Sequence, residues 1–489
     1  MSRAEKYLAG LMLLAALSFR IAAFFVFPGT TSTEMEGFSR LNLARIYEES
    51  PSPKYPAVHF GPLPTIVFSW MRSIMQSPVE APRLLNLLIS FAALPLAWRI
   101  TRQLFGPAAG LFTLGCISGF GIHVLVSVET VSEGMHASLF LAGLLAYLIA
   151  TNDTSDPRKN RWLIIVSAIS LAAASACRFE TWPLLIIFPI ASLLRRRFKE
   201  AAALLIILLI FPAVHMCISH RLEGDALAFL HRASTVAHER SPVGTVPHQI
   251  MIAISQLGWS LTWPGILAAI TGTILSFRLR KNWLLLALTL VLAFEVLFQS
   301  AIGSLSPDIW RYFTLPGLLL SCLSGATVTE IIDYLRSDSK KISNIMIAAT
   351  VAGMVLGSWG FKNAINKHDE IRTIESHLNQ MRQIISTDID QNDLILVGPE
   401  MHAAIAAFIR LPVRQVLCPG IPRVGASEPL SFEKIMLRYK PDKILMYKPD
   451  PVFAVDIPLM GNNQEVNLFG ASYKNIKQIG VWILWRKVE

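Results

Sequence analysis

Apolar runs of the length needed to cross a bilayer recur along this chain from Leu8 to Leu356, among them "LLIILLIFPAVHM" and "NWLLLALTLVLAFEVLF". About 20 apolar residues in a helix span the hydrocarbon core of a membrane. Only helices and closed barrels can do so with every backbone polar group satisfied. A barrel would alternate polar and apolar residues over segments of about ten, and these runs do not alternate. The fold class is therefore an α-helical polytopic membrane protein. Only 16% of the 489 residues are charged, against about 25% in soluble domains, so most of the chain has no soluble alternative.

The net charge of +10 does not point to nucleic acid, because the basic residues fall in short clusters between the apolar runs. The clusters are Arg3/Lys6, Arg99/Arg102, Asp156–Arg161, Arg195–Lys199, Arg278–Lys281 and Arg336–Lys341. Setting them all on the cytoplasmic side obeys the positive-inside pattern. The expected spans are then 8–28, 82–104, 108–128, 134–150, 162–178, 182–198, 201–219, 252–277, 283–303, 312–332 and 342–361, about eleven transmembrane helices. The first is expected to be an uncleaved helix, since its apolar part is long and no small-residue cleavage site follows. The segment Gly61–Gln76 is apolar but carries early prolines and Arg72, and is expected to lie in the membrane interface. Residues 1–361 then form a membrane domain with external loops at 29–81 and 220–249.

Residues 362–489 change character, with more charge and shorter apolar runs. "DLILVGP" reads as a buried strand and "EMHAAIAAFIR" as a helix; "RQVLCPG", "DKILMY" and "GVWILWRK" read as further strands. The expectation is a small C-terminal α/β extracytoplasmic domain. It contains no glycine-rich phosphate loop. The five cysteines form no CxxC or Cys/His pattern and no disulfide framework.

This topology gathers Glu34, Glu36, Glu129, Glu133, Arg178, Glu180 and Arg311 at the external ends of different helices. Ionisable residues in such places are a functional site by default. In "TSTEMEGFSR", Thr33 and Glu36 have capping-box spacing, and Phe38, Leu41, Ala44 and Arg45 follow at helical spacing. Glu36 thus has a structural role, while Glu34 is left at the positive end of the helix, where a carboxylate stays ionised. Glu129 and Glu133 share a helix face, with head-group water as the competing reading for Glu129. Arg178 with Trp182, and Arg311 with Tyr312, also fit interface anchors. His215, His220, His231, His238 and His248 show no tight ligand spacing. No cofactor is expected, and a divalent metal is not indicated.

The order of short elements resembles the GT-C superfamily of membrane glycosyltransferases, in particular the branch of the lipid A aminoarabinose transferase and the protein O-mannosyltransferases. The elements are "EMEGF" (Glu34–Phe38), "FGPLP" (Phe60–Pro64), "APRLLNLLIS" (Ala81–Ser90), "RQLFG" (Arg102–Gly106), Glu133 at the next external turn, and "RYFTLP" (Arg311–Pro316). Glu34 stands where the family usually has Asp, and Phe60 where it has His, with His59 one position away. The resemblance implies transfer of a hexosyl or pentosyl group from a polyprenyl-phosphate donor to a lipid, glycan or protein acceptor. It places the chemistry on the external face of a bacterial inner membrane. It implies Glu34 as general base, with Glu133 orienting the acceptor or steadying Arg178. Arg311 and Arg178 would stabilise the lipid phosphate, with Glu180, Tyr312 and His59 as further binding residues. The competing readings are a transporter or flippase of lipid-linked sugars, and a non-catalytic relative.

Overall fold

The computed structural model describes residues 2–27, 36–51, 61–75, 77–152, 156–228, 231, 246–278, 282–301, 310–335, 341–366, 368–398, 402–409, 411–419, 430–447 and 465–488. Two compact units emerge. One contains Met1–Val26, Pro56–Pro64 and Arg83–Lys367; the other contains Phe27–Tyr55, Thr65–Pro82 and His368–Glu489. Residues 29–81, read from the sequence as one loop of the membrane domain, are thus divided between them.

The first unit is helical throughout its described residues. It opens with α1 (Arg3–Val26); α2 (Glu36–Glu49) and most of α3 (Pro62–Met75), next in the chain, belong to the second unit. Next come α4 (Glu80–Phe91), α5 (Ala93–Phe105), α6 (Pro107–Ser118), α7 (Gly121–Val128), α8 (Glu133–Asn152) and α9 (Pro157–Cys177). The series continues with α10 (Trp182–Leu185), α11 (Ile187–Leu194), α12 (Phe198–Glu223), α13 (Val246–Leu261), α14 (Trp263–Arg278), α15 (Trp283–Ala301), α16 (Thr314–Leu335) and α17 (Lys341–Asn366). Among the described residues, seven spans are long and apolar enough to cross a membrane, or nine if each of two bent pairs counts as one. The bent pairs are α6 with α7, at 58°, and the end of α13 with α14, at 108°. Two shorter apolar helical stretches, Phe179–Leu194 and Trp283–Val296, complete the set. Seven of the expected spans coincide with the long helices, 108–128 and 252–277 with the two bent pairs, and 182–198 and 283–303 only in part with the shorter stretches.

The bend between α6 and α7 is a stabilised feature. Ending α6 at Ser118 leaves its last carbonyls without helical partners. The fully buried Arg20 of α1 supplies donors: its Nη1 donates to Ser118 O at 2.7 Å and Ala16 O at 3.0 Å, and its Nη2 to Ile117 O at 3.4 Å. Its Nη2 also lies 2.7 Å from His123 Nδ1, so His123 accepts through Nδ1 and carries its proton on Nε2. The end of α7 is held the same way from α4. Arg83 Nε donates to Val128 O at 2.7 Å, and Asn86 Nδ2 to Val126 O and Glu129 O at 2.8 and 2.7 Å. The "RLLN" element is therefore a backbone clamp on the segment that leads into α8.

Helices α6 and α17 pack through matched small residues. Gly115 and Gly119 of α6 face Gly353 and Gly357 of α17, and a methyl group on any of the four would overlap the opposite backbone. Apolar side chains gain little by leaving lipid for another helix, so close backbone approach is what holds such a pair.

The second unit centres on a six-stranded mixed sheet in the order β2-β1-β3-β6-β5-β4. Its strands are β1 (Ile395–Val397), β2 (Val416–Leu417), β3 (Lys443–Tyr447), β4 (Glu465–Leu468), β5 (Ala471–Ile479) and β6 (Trp482–Val488). The first three pair in parallel and the last three antiparallel. Helices α18 (His368–Asp388), α19 (His402–Phe408) and α20 (Phe432–Tyr439) belong to the same unit. The face of α2 expected to be apolar is used here: Phe38, Leu41 and Ala44 are buried, and Phe38 meets the Phe408 ring at 5.5 Å. Arg45 of the same face donates to Ala406 O at 2.5 Å, satisfying a carbonyl near the end of α19.

Close packing of α6 on α17 makes a measurable contrast. Gly357→Ala should lower the melting temperature of the detergent-purified protein, although Ala is the better helix former by about 1 kcal/mol. Gly10→Ala, where an added methyl meets nothing within 4 Å, should leave it unchanged or raise it.

Candidate active site

Three chain reversals bring charged groups together within the helical unit. Glu133 is the first residue of α8, where the helix N-terminus favours a carboxylate. Arg178 ends α9 in extended conformation, and Glu180 follows in the 3-10 turn Phe179–Thr181. Arg311 and Tyr312 lie in the 3-10 turn Trp310–Phe313 that leads into α16, where Thr314 Oγ1 donates to Arg311 O at 2.7 Å.

One carboxylate oxygen holds both cations. Arg178 Nη1 donates a short hydrogen bond to Glu133 Oε1, and Arg311 Nε lies 3.0 Å from the same atom. Their side chains are 2% (Glu133), 8% (Arg178) and 5% (Arg311) exposed. At that burial the attraction between them is screened little, and so is the repulsion the two guanidinium groups would feel without Glu133. Arg178 also binds Glu180 in bidentate fashion, Nη2–Oε1 at 2.6 Å and Nε–Oε2 at 3.2 Å. Its guanidinium lies over the Tyr312 ring, 4.4 Å from the centroid. Glu133 Oε2 has no hydrogen-bond partner among the described residues.

These side chains line a pocket of about 420 Å³ including its open mouth, whose other walls include the apolar Leu292, Val296 and Leu315. Of the residues singled out from the sequence, Glu133, Arg178, Glu180, Arg311 and Tyr312 meet here. Arg178 and Arg311, which also fitted the pattern of solvent-edge anchors, are buried and ion-paired. Glu129, for which head-group water was the competing reading, is fully buried, and its carbonyl is held by Asn86. Glu34 and His59 lie outside the described residues, as does Thr33 of the capping box. Gly61 of "FGPLP" sits so close to the end of α9 that a methyl group there would overlap the Cys177 and Ala176 carbonyls. Gly61 therefore packs against the last turn before Arg178.

Two pocket residues escaped the sequence reading. His136, one turn into α8, places Nε2 2.5 Å from Thr181 Oγ1 and so ties α8 to the Glu180 turn. Glu295 of α15 lines the pocket as a third carboxylate. Its signal was visible, a single acid inside "NWLLLALTLVLAFEVLF". Among the described residues no three His, Cys, Asp or Glu side chains converge as a metal site would require.

The ion cluster has a thermodynamic signature. Removing one partner of a buried pair strands a charge and costs about 3–5 kcal/mol. Glu133→Ala and Arg178→Ala should each destabilise the detergent-purified protein by that order. The double variant should lose less than the sum, by about 0.5–3 kcal/mol, as contacting residues do. Reversible unfolding of the four proteins measures the coupling.

No protein-family model matches the chain, and no curated protein matches it in sequence. Solved structures do match in fold. ArnT from Cupriavidus metallidurans bound to undecaprenyl phosphate superposes with a TM-score of 0.67 at 13% identity, over 98% of this chain and 97% of that one. The same protein in its apo state gives 0.62 at 13% identity, over 92% of each chain. The oligosaccharyltransferase of Archaeoglobus fulgidus gives 0.55 at 11% identity, over 90% of this chain and 67% of that one. An agreement that runs through nearly the whole chain, membrane helices and terminal sheet alike, identifies the architecture: this protein has the GT-C fold.

Proposed function

We propose that this protein is a glycosyltransferase that moves a sugar from a polyprenyl-phosphate donor to an acceptor hydroxyl at the extracytoplasmic face of the membrane. The observation that carries the reading is the pair of buried arginines, Arg178 and Arg311, set on one carboxylate in the wall of a pocket. A leaving phosphate gains negative charge as the glycosidic bond breaks. Guanidinium groups offer it charge-assisted, planar hydrogen bonds in a site already organised to receive it. The solved ArnT structure with undecaprenyl phosphate gives the same fold a ligand of that class.

In the reaction proposed, Glu34 takes the proton of the acceptor hydroxyl while that oxygen attacks the anomeric carbon. The bond from that carbon to the phosphate oxygen breaks, and the electron pair leaves with the phosphate, against Arg311 and Arg178. Of the two roles open to Glu133, its ion pairs favour steadying the arginines over contacting the acceptor. An oxygen shared by two cations is a poor proton acceptor. Glu180 and Tyr312 keep the Arg178 plane fixed by its bidentate pair and its ring face. The acceptor is a lipid, glycan or protein hydroxyl. The membrane is the bacterial inner membrane, with the pocket facing outward.

Mass spectrometry of surface lipids, glycans and glycoproteins from cells with and without the protein identifies the transferred group. With that assay in hand, Glu34→Gln should reduce turnover by about 100- to 10,000-fold, the usual range for a general base. Glu36→Gln should remain active, because Gln still serves a capping box. The opposite outcome would make Glu36 the base; full activity in both would remove the base from this segment.

The phosphate role is tested separately. Arg311→Lys keeps the charge but loses the planar fork. It should weaken binding of undecaprenyl phosphate, measured by native mass spectrometry of the protein in nanodiscs. Unchanged binding would remove Arg311 from the phosphate site.

A further inference from the structure

Helix α15 has 19 residues and one ionisable side chain, Glu295. An acid on an otherwise apolar membrane helix is costly unless it faces polar surroundings, and such residues mark substrate sites. Glu295 does face them: it lines the pocket that holds Glu133, Arg178, Glu180 and Arg311. Leu292 and Val296, three residues before it and one after, line the same pocket. The face that α15 turns to the pocket is therefore one carboxylate set between aliphatic side chains.

The three pocket carboxylates are not equivalent. Glu133 Oε1 and both oxygens of Glu180 bind Arg178 directly. Glu295 enters from a different helix. In a glycosyl phosphate the sugar begins one bond from the phosphate, so a phosphate lying against Arg178 and Arg311 keeps the sugar next to the residues that line this pocket. A carboxylate has two oxygens and about four acceptor positions, which suits it to two neighbouring hydroxyl groups of a sugar ring. The aliphatic groups on either side can pack against the ring's C–H bonds.

We propose that Glu295 reads the transferred sugar, accepting hydrogen bonds from two of its hydroxyl groups while the donor phosphate lies against Arg178 and Arg311. This rests on the glycosyl-transfer reading above and adds the residue that sets its sugar specificity.

The test compares two kinds of lipid on the full-length protein in nanodiscs. One is bare undecaprenyl phosphate; the other is a panel of undecaprenyl-phosphate-linked hexoses and pentoses. Wild type should bind at least one sugar-bearing lipid more tightly than the bare lipid. Glu295→Gln and Glu295→Ala should each erase that preference by about tenfold or more, the size expected for hydrogen bonds to a charged group. Binding of the bare lipid should be unchanged. Glu295→Gln keeps the shape and polarity of the side chain, so its melting temperature should not fall. A variant that keeps the wild-type preference for the sugar lipid overturns the proposal. So does a lowered melting temperature with equal loss of both lipids, which would make Glu295 a structural residue. Wild type that binds the bare lipid but prefers no sugar lipid overturns this inference alone. If wild type binds neither kind of lipid, the glycosyl-transfer reading itself fails.

Discussion

Backbone groups released by broken helices must find partners inside the protein, because a membrane interior offers no water to take them. The site-bearing unit is built on such breaks. The chain stops helix α6 at Ser118, α7 at Val128 and α9 at Cys177. The first two breaks are answered by buried cationic or amide side chains from other helices: Arg20 at the first, Arg83 and Asn86 at the second. The third is covered by Gly61 packed onto the terminal carbonyls. The second and third reversals then deliver ionisable residues: Glu133 after the second, Arg178 and Glu180 at the third. The charged pocket follows from where the helices end, and the helices can end there because polar side chains elsewhere were placed to receive them.

The pocket turns a liability into rigidity. Burying a lone guanidinium group costs several kcal/mol, and this protein buries two beside each other. Glu133 offsets both, and Glu180 fixes the plane of one through a bidentate pair. Replacing the cluster with packed hydrophobic residues would often be neutral or stabilising. Stability therefore does not explain why the charges are kept. Preorganisation does: two donors fixed in position before a phosphate arrives need no reorganisation when its charge develops. On the proposed glycosyl-transfer reading, the shared carboxylate then belongs with the two arginines rather than acting as a separate acid.

Much of this was legible in the sequence because the membrane makes composition speak directly. Spans appear as apolar runs, and charge placed the residues of the pocket on one face before any contact was known. Arg178, Glu133 and Arg311 lie 45 and 133 positions apart in pairs that no local pattern links, yet sidedness alone grouped them. What sidedness could not give was direction around a helix. Glu295 lies inside a run so apolar that the acid reads as an interruption. Only the rotation of α15, set by packing, shows that it faces the pocket. The same holds for Gly115, Gly119, Gly353 and Gly357: each pair has the four-residue spacing of a contact stripe, but which stripe meets which is a tertiary fact. The hairpin of β4 and β5 was missed for another reason. Its pattern of half-buried residues gives weak alternation, since one side of the sheet is open.

The short helix α2 shows that residue spacing predicts a buried face but not what buries it. Phe38, Leu41, Ala44 and Arg45 at helical spacing do form one face, and that face is buried. In a chain this apolar, the natural partner for an amphipathic segment is the membrane surface. Here its partners are protein: Phe408, and the Ala406 carbonyl that Arg45 satisfies. An arginine among the apolar residues of a face distinguishes the two cases in principle. At a lipid surface its long side chain would extend toward the head groups. Against a protein it can be fully desolvated if a carbonyl waits for it, as the end of α19 does. Segment 36–49 is thus part of the sheet-bearing unit, held there by ring packing at Phe38 and by the desolvated Arg45.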